Sequence, residues 1–408
     1  MFNTVIGASV FGIPSLLAAR LGKLSVPAYF FAAAGVAVIA ACLAEVASQF
    51  RESGGPYLYA RAAFGPFAAI QIGWMMWLAR ITATAAVANL FISYSAQFFP
   101  GIEAVAPRAL VLAGLISFLA VVNYRGVTGG AALSNVFTVA KVTLLAILVF
   151  GGIAVLALAP SLRVTPPVVQ PSRNDWFECL PLMVYAYAGF EAAFIVSGET
   201  RDTRRDAPFA LLVSLSTATV IFIALQYVII HILPNASATA KPAADAAQRV
   251  LGPMGGSIVA AGSLVSIYGY LSANLLHTPR VTFAMGEQGD FPRWFAAIHP
   301  RFQTPYVSIV VFAVLVIGFS VAGSFRWNAV LSVLARIFVY GAVALALPAL
   351  RKKHPEADAF RIPFGSVFAF AAVAFMALLA IRIPPSAAII LLITLVVGFL
   401  TWVWSRRK

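Results

Sequence analysis

Two apolar segments of the chain are interrupted by small residues, where freed backbone groups could bind a polar solute. Residues 7–14 read GASVFGIP, and residues 188–191 read AGFE. A helix inside a membrane is normally continuous, because hydrocarbon cannot satisfy backbone N–H and C=O groups that lose their helical partners. Interruptions persist where they line a cavity, and there the bared backbone can bind a ligand. We call residues 7–12 the first break and residues 188–191 the second break. Together they predict the solute site of a secondary transporter.

The first break suits a carboxylate. An unwound helix presents free N–H groups together with the positive dipole end of the half-helix that follows. Gly7 and Ala8 leave no bulk in the way, and Ser9 adds a hydroxyl. A stripe of small residues can instead be a helix-packing face. Pro14 favours the interpretation as a break, because proline is common at the first position of a new helix.

The second break suits an ammonium, and it carries an ionisable residue. Carbonyl groups freed at residues 188–190 could accept hydrogen bonds from an ammonium, which offers only donors. Glu191 is expensive at membrane depth unless it is protonated or paired. It is therefore either a proton carrier or a structural carboxylate that accepts hydrogen bonds from freed amides.

Two arginines and a lysine lie within apolar segments, where a charge normally faces the protein interior and finds a partner. Arg80 and Arg336 could pair with Glu191 or Glu45, and the sequence does not say which. Arg80 could instead bind an acidic substrate. Lys141 lies too deep for its ammonium to reach the membrane surface easily.

The elements that must position these residues are transmembrane helices. Hydrophobic residues make up 61% of the 408 residues, charged residues only 10%, and the mean hydropathy is +0.92. A soluble domain carries about 25% charged residues, so the composition excludes a soluble protein. Apolar runs of about 20 residues predict about twelve spans, at 2–20, 25–49, 67–99, 108–123, 131–158, 177–198, 207–233, 254–284, 304–323, 328–350, 362–381 and 385–404.

The net charge of +14 indicates orientation and not nucleic-acid binding. With the N-terminus placed inside, most Lys and Arg residues outside the spans fall on the cytoplasmic side, as the positive-inside rule requires. The basic run at 351–353 is expected to be such an anchor, with no chemistry of its own. Cys42 and Cys179 offer no disulfide framework or metal-ligand spacing, and no enzyme motif is found. We therefore expect no cofactor, no metal and no catalytic activity.

Short motifs follow one another along the whole chain. Besides the first break they are GGPY at 54–57, FTVAK at 137–141, YAGFE at 187–191, GET at 198–200, RRDAP at 204–208, TP at 304–305, and Arg280, Met285, Gly289 and Pro292. In this order the chain resembles the amino acid–polyamine–organocation superfamily of permeases. The resemblance implies an all-α polytopic membrane fold, a five-plus-five inverted repeat (LeuT-like) with helices one and six broken, plus two terminal helices. The repeats would span 1–158 and 177–350, and 362–408 would hold the last two helices and a short basic C-terminus.

The resemblance also implies the substrate site. The implied contacts are Ile6, Gly7, Ala8, Ser9, Gly12, Tyr185, Ala188, Gly189, Phe190 and Asn274. Tyr185, Ala188 and Phe190 would line the side-chain pocket or act as a gate, although the two aromatic rings could instead face lipid. A frame of apolar and aromatic residues suits a neutral amino acid better than a charged one.

Lys141 and Glu191 are the implied coupling residues. Relatives that use sodium coordinate it between helices one and eight, beside helix five, and the Lys141 ammonium there would stand in for the ion. The consequence is sodium-independent transport, either proton-coupled or by exchange. Lys141 could also serve stability alone, by satisfying helix-one carbonyls.

The sequence thus predicts a permease for neutral amino acids, coupled to protons and working by alternating access in the inner (cytoplasmic) membrane. The alternatives are an amino acid or amine exchanger without proton coupling and a sensor that binds without translocating. We expect both termini in the cytoplasm, a monomer or homodimer, and an amino acid, protons and the bilayer as partners. No basic region precedes the first span, so a cleaved signal peptide is not expected. Only about one helical turn precedes the first break, which leaves open a start upstream of Met1.

Overall fold

In a computed structural model of the chain, every described element of secondary structure is a helix. The structure describes residues 7–50, 54–126, 130–166, 168–191, 203–353 and 359–406. Within these ranges, eight helical stretches are long and apolar enough to cross a membrane, and two shorter apolar helices accompany them. The predicted all-α, polytopic architecture is confirmed.

The bounds of the helices define the labels used below. The described α-helices are α1 (Ile13–Leu21), α2 (Ser25–Ser48), α3 (Pro56–Phe64), α4 (Pro66–Ser95), α5 (Val105–Tyr124), α6 (Gly130–Leu158), α7 (Arg173–Tyr187), α8 (Thr203–Ile232), α9 (Pro242–Glu287), α10 (Tyr306–Ala322), α11 (Phe325–Lys353), α12 (Gly365–Ala380) and α13 (Pro385–Arg406). Short 3-10 turns lie at Ala8–Phe11, Gly22–Leu24, Pro160–Leu162, Ala236–Ala238 and Arg293–Ala296.

The helices follow the predicted spans, and glycine and proline mark where they begin. α9 is continuous in outline over 46 residues, but Gly252 (φ 73°, ψ −172°) interrupts it, and Pro253 follows. The part after this kink agrees with the span predicted at 254–284, because proline is tolerated in the first turn of a helix. The GGPY motif at 54–57 leads into the nine-residue helix α3, which begins at Pro56.

Helix α4 occupies the centre of the bundle. Nearly all of its residues after Pro66 and Phe67 are buried, and it packs against α3, α9, α10, α11 and α13. Helices α5 and α13 lie at the periphery, where large apolar side chains such as Leu110 and Phe399 are exposed. Such side chains suit a lipid environment, since lipid tails are as apolar as leucine. The buried helix α4 and its neighbours form the frame that holds a polar site.

Polar contacts hold the C-terminal end of α11 against α2 and α3. Arg351 Nε and Nη2 donate to the two carboxylate oxygens of Glu45, at 2.6 and 2.8 Å. Lys353 Nζ donates to the carbonyls of Ala62 and Ala63 near the end of α3, both at 2.9 Å. Basic side chains at such places satisfy carbonyls that a helix end leaves free.

Helix α3 is tied in turn to the chain that follows α9. The Tyr57 hydroxyl and the Arg61 guanidinium both donate to the Asp290 carboxylate. Beside them the rings of Trp74 and Phe291 stack with their centroids 4.4 Å apart. Ion pairs and packed aromatic rings therefore close this end of the bundle.

Candidate functional site

The described residues of the first apolar segment begin at the first break. Gly7 is extended (φ −68°, ψ 170°), residues Ala8–Phe11 form a single 3-10 turn, and α1 starts at Ile13. The first N–H groups of such a turn have no partner within the helix. Among the described residues, the turn therefore leaves the N–H groups of Ala8 and Ser9 without an intrahelical acceptor.

Helix α7 ends at the second break. Its last residue is Tyr187, and Ala188 is extended (φ −62°, ψ 137°). Gly189 has a φ of 117°, in the region that favours glycine, and its N–H donates to Glu191 Oε2 at 2.9 Å. The Ala188 N–H donates to the Tyr185 carbonyl at 3.1 Å, and the end of a helix leaves its other last carbonyls without intrahelical partners. Residues 192–202, which include the GET motif, lie outside the described residues.

Both breaks line one small buried cavity. It offers about 10 Å³ to the centre of a water molecule, which is room for roughly one water. The Ser9 hydroxyl is buried and has no hydrogen-bond partner among the described residues. A polar ligand could supply the hydrogen-bond partner that this hydroxyl lacks. The lining consists of Gly7, Ala8, Ser9, Ala83, Val87, Tyr185, Ala188, Tyr270 and Arg336.

An ion pair beside this cavity ties α11 to the second break. Arg336 Nε donates to Glu191 Oε1 at 3.1 Å, and the two side chains are 6% and 8% exposed. The Tyr340 hydroxyl donates to Glu191 Oε2, also at 3.1 Å, and Arg336 Nη1 donates to Ser332. Glu191 thus accepts from a guanidinium, a hydroxyl and the Gly189 amide. This is the arrangement expected of a structural carboxylate, and it identifies the partner of Arg336.

The other intramembrane charges lie outside the lining of the cavity. Glu45 pairs with Arg351 and not with either candidate that the sequence offered. Arg80 is half-buried. Its guanidinium donates to no residue that the structure describes. Lys141 is buried on α6.

The cavity brings together part of the predicted contact set, namely Gly7, Ala8, Ser9, Tyr185 and Ala188. Other members lie elsewhere. The Phe190 ring packs against the Tyr340 ring, with centroids 5.4 Å apart. Asn274 Nδ2 donates to the Tyr270 carbonyl one turn back, at 3.0 Å. Gly12 lines a second cavity.

Four lining residues were not predicted as substrate contacts: Ala83, Val87, Tyr270 and Arg336. A charge in an apolar segment is a signal that Arg336 faces the interior. The other three are ordinary residues of apolar helices, and no sequence signal marks them. Of the two remaining predicted contacts, Gly189 directs its N–H to Glu191, and Ile6 lies outside the described residues.

A larger cavity of about 890 Å³ lies next to the small one. We call it the vestibule. Its lining combines Gly12 and Ser15 with the C-terminal part of α4, residues 237–240 and the start of α11. Tyr185 lines the small cavity and Phe325 lines the vestibule, and their rings meet edge to face with centroids 6.2 Å apart. The two rings therefore link the linings of the two cavities.

The chain is similar to known transporters over most of its length. A family model described as an amino acid permease matches residues 1–403. The methylthioribose transporter of Bacillus subtilis is 26% identical, over 88% of this chain and 81% of that protein. The serine/threonine exchanger SteT of the same organism is 27% identical, over 76% of this chain and 71% of that protein. The branched-chain amino acid permease BcaP, also of Bacillus subtilis, is 24% identical, over 100% of this chain and 90% of that protein.

Proposed function

The chain belongs to the amino acid permease family of membrane transporters, and on that premise we propose that it carries amino acids across the cytoplasmic membrane by alternating access. The family is one of transporters and not of enzymes. A site between broken helices in a multi-pass bundle is typical of a transporter whose binding site opens to the two sides of the membrane in turn.

The observation that carries the proposal is that both breaks line one cavity. The substrate's α-carboxylate would accept hydrogen bonds from the N–H groups of Ala8 and Ser9 and from the Ser9 hydroxyl. Its ammonium would donate to the last carbonyls of α7, because an ammonium needs acceptors only. A zwitterion would thus find donors at the first break and acceptors at the second.

A neutral amino acid suits the charge balance of the cavity. Arg336 is the charged residue of the lining, and Glu191 neutralises it at 3.1 Å. The remaining lining is small, aliphatic or aromatic. A substrate without net charge leaves this balance undisturbed, whereas an unpaired charge would be expensive at membrane depth.

Independence from sodium and coupling to protons form the second part of the proposal, and Lys141 is its main residue. The Lys141 side chain is buried on α6, which packs against α8 and α9. A fixed ammonium there would take the place of a sodium ion. Glu191 is the weaker coupling candidate, because three donors hold it as a carboxylate. That engagement favours exchange without proton coupling as the second candidate function.

The proposal includes the internal symmetry of the bundle. Residues 1–158 and 177–350 would be inverted repeats, each starting with a broken helix, and residues 362–408 would add two helices outside them. An odd number of helices per repeat makes the halves point in opposite directions and brings both breaks to the middle of the membrane. Both termini would then lie in the cytoplasm.

A binding and uptake series on the purified full chain tests the proposal. Thermal shifts with the common amino acids, with and without sodium, are followed by uptake into proteoliposomes under an imposed proton gradient. We expect neutral amino acids to stabilise the protein equally in both salts and to accumulate when the gradient is inward.

Each other result points to a different function. Stabilisation only in sodium would contradict the role of Lys141. Uptake that requires an internal amino acid and ignores the proton gradient indicates an exchanger. Binding without any uptake indicates a sensor. If no amino acid shifts the unfolding temperature or is taken up, the proposal as a whole is contradicted.

A further inference from the structure

Arg336 is a cation that lines the small cavity, and one of its two terminal nitrogens makes no hydrogen bond to a described residue. Its Nε donates to Glu191 and its Nη1 donates to Ser332, whereas Nη2 donates to no described residue. The Arg336 side chain is 6% exposed and lines the small cavity. Buried donors normally find partners, and the spare N–H groups of Arg336 therefore mark unused binding capacity.

The Ser9 hydroxyl is a second unsatisfied group in the same lining. It is 3% exposed and has no hydrogen-bond partner among the described residues. In the proposed pose the substrate's α-carboxylate accepts from Ser9 and from the N–H groups of the first break. In this pose Ser9 and the first break hold the carboxylate, and Arg336, which is anchored to the second break through Glu191, keeps Nη2 for another oxygen of the substrate.

We propose that Arg336 Nη2 donates a hydrogen bond to an oxygen in the substrate's side chain, so that the site selects small amino acids carrying a hydroxyl or an amide. The inference rests on the proposed transport of amino acids. Ala83, Val87 and Tyr185 border a cavity with room for about one water. The cavity has to widen to hold any amino acid, and a short side chain requires the smallest change.

An acidic side chain fits these contacts less well than a hydroxyl or an amide. A carboxylate binds arginine best through two parallel N–H donors, but Nε and Nη1 of Arg336 are already engaged. Glu191 already balances the charge of Arg336. A second carboxylate would add a negative charge close to Glu191, and buried like charges repel strongly.

Pairs of amino acids with the same shape test this selectivity directly. A site built to hydrogen-bond a substrate hydroxyl rejects the analogue that lacks it, because the site's own buried polar group is then left unpaired. Threonine and valine differ by a hydroxyl in place of a methyl group. We expect the wild-type protein to bind threonine at least about tenfold more tightly than valine, measured by titration calorimetry on the purified full chain.

A matched pair of variants assigns the selectivity to Arg336. Arg336→Lys keeps a positive charge near Glu191 but removes the planar fork of donors. Arg351→Lys is the same substitution in the ion pair with Glu45, away from the cavity. The threonine-to-valine affinity ratio should fall to about one in Arg336→Lys and stay at the wild-type value in Arg351→Lys. If Arg336→Lys does not fold, the wild-type comparison decides the selectivity alone.

The possible outcomes separate this inference from the proposed function. Equal binding of threonine and valine, with uptake of either, would overturn the selectivity and leave amino acid transport standing. Tighter binding of aspartate than of threonine overturns it in favour of a carboxylate ligand. A wild-type affinity ratio in folded Arg336→Lys removes Arg336 from the explanation. Failure of every amino acid to bind contradicts the proposed function itself.

Discussion

Two arginine–glutamate pairs join helix α11 to other parts of the bundle, and they differ in what their remaining hydrogen bonds do. In the pair at the end of α11, Arg351 meets Glu45 through two contacts, at 2.6 and 2.8 Å. The backbone of Ile362 supplies further partners, because its N–H donates to Glu45 and its carbonyl accepts from Arg351, each at 2.8 Å. Glu45 is 1% exposed in this arrangement.

The pair nearer the middle of α11 is joined through one contact, and its arginine keeps a donor free. Arg336 Nε meets Glu191 at 3.1 Å, and Nη2 has no acceptor among the described residues. The pair borders the small cavity and holds the second break through the Gly189 amide. Two pairs of the same residue types on one helix therefore serve different purposes. The saturated pair fixes an end of the bundle, and in our proposal the unsaturated pair belongs to the substrate site.

The largest effect is expected from Glu191→Ala, which would leave Arg336 buried without its counter-charge. Breaking a buried ion pair from one side costs about 3–5 kcal/mol, and the second break loses the acceptor of its Gly189 amide. We expect a much lower unfolding temperature in detergent and no uptake into proteoliposomes.

The double variant Glu191→Met/Arg336→Met is the control for this prediction. Apolar residues in place of a whole buried pair are often neutral or stabilising, so the unfolding temperature should recover while uptake stays absent. Normal uptake by the double variant would show that the pair near the cavity is as purely structural as Arg351 and Glu45.

A bulky side chain in the small cavity should stop transport while every residue of both ion pairs is kept. Ser9→Trp would fill the space between the two breaks, and we expect uptake and substrate-induced thermal shifts to be lost. Ser15→Ala is the matched control, because Ser15 is equally buried with an unpartnered hydroxyl but lines the vestibule. Normal uptake by Ser9→Trp would show that the substrate passes elsewhere.

Arg351→Met should weaken the fold and leave the site unchanged. It removes two hydrogen bonds to Glu45, and a buried acceptor left unsatisfied costs about 1–3 kcal/mol. The half-exposed Arg351 side chain and the remaining Ile362 N–H place the expected loss toward the lower value. The unfolding temperature measures this loss. A raised KM for the transported amino acid would contradict the division between the two pairs.

The helices could be predicted from the sequence because their limits are set locally. Gly55 (φ 59°) and Gly65 (φ 88°) stand before Pro56 and Pro66, which begin α3 and α4. Positive φ angles favour glycine, and proline suits the first turn of a helix. Both breaks could be located for the same reason, since small residues interrupt otherwise apolar runs.

The pairing of charges could not be predicted, because it depends on how distant helices meet. Glu191 and Arg336 are 145 positions apart, and by residue type Glu45 was an equally good partner. Arg351 was expected to be an orientation anchor, yet it is also the partner of Glu45. Side-chain direction was equally out of reach. Asn274 turns its amide to the Tyr270 carbonyl of its own helix.

The smallest effect is expected at Tyr57, in a third polar cluster that resembles the saturated pair. The Tyr57 hydroxyl contacts Asp290 and Gln288 and accepts from Arg61. In Tyr57→Phe the Arg61–Asp290 ion pair remains, so we expect a loss of about 0.5–1.5 kcal/mol and an unchanged KM.

The pH dependence of stability tests whether the Tyr57 hydroxyl stabilises the fold through its contacts in this cluster. Burial, and then the hydrogen bond to Asp290, raise the pKa of Tyr57 above its usual value. A tyrosine whose pKa is higher in the folded than in the unfolded protein contributes stability below its unfolded pKa of about 10, and that contribution is lost as the pH rises further. The difference in unfolding temperature between wild type and Tyr57→Phe should therefore be constant up to about pH 9 and shrink above pH 10. A difference that does not shrink, or a raised KM at neutral pH, would place Tyr57 outside the group of saturated, purely structural contacts to which Arg351 and Glu45 belong.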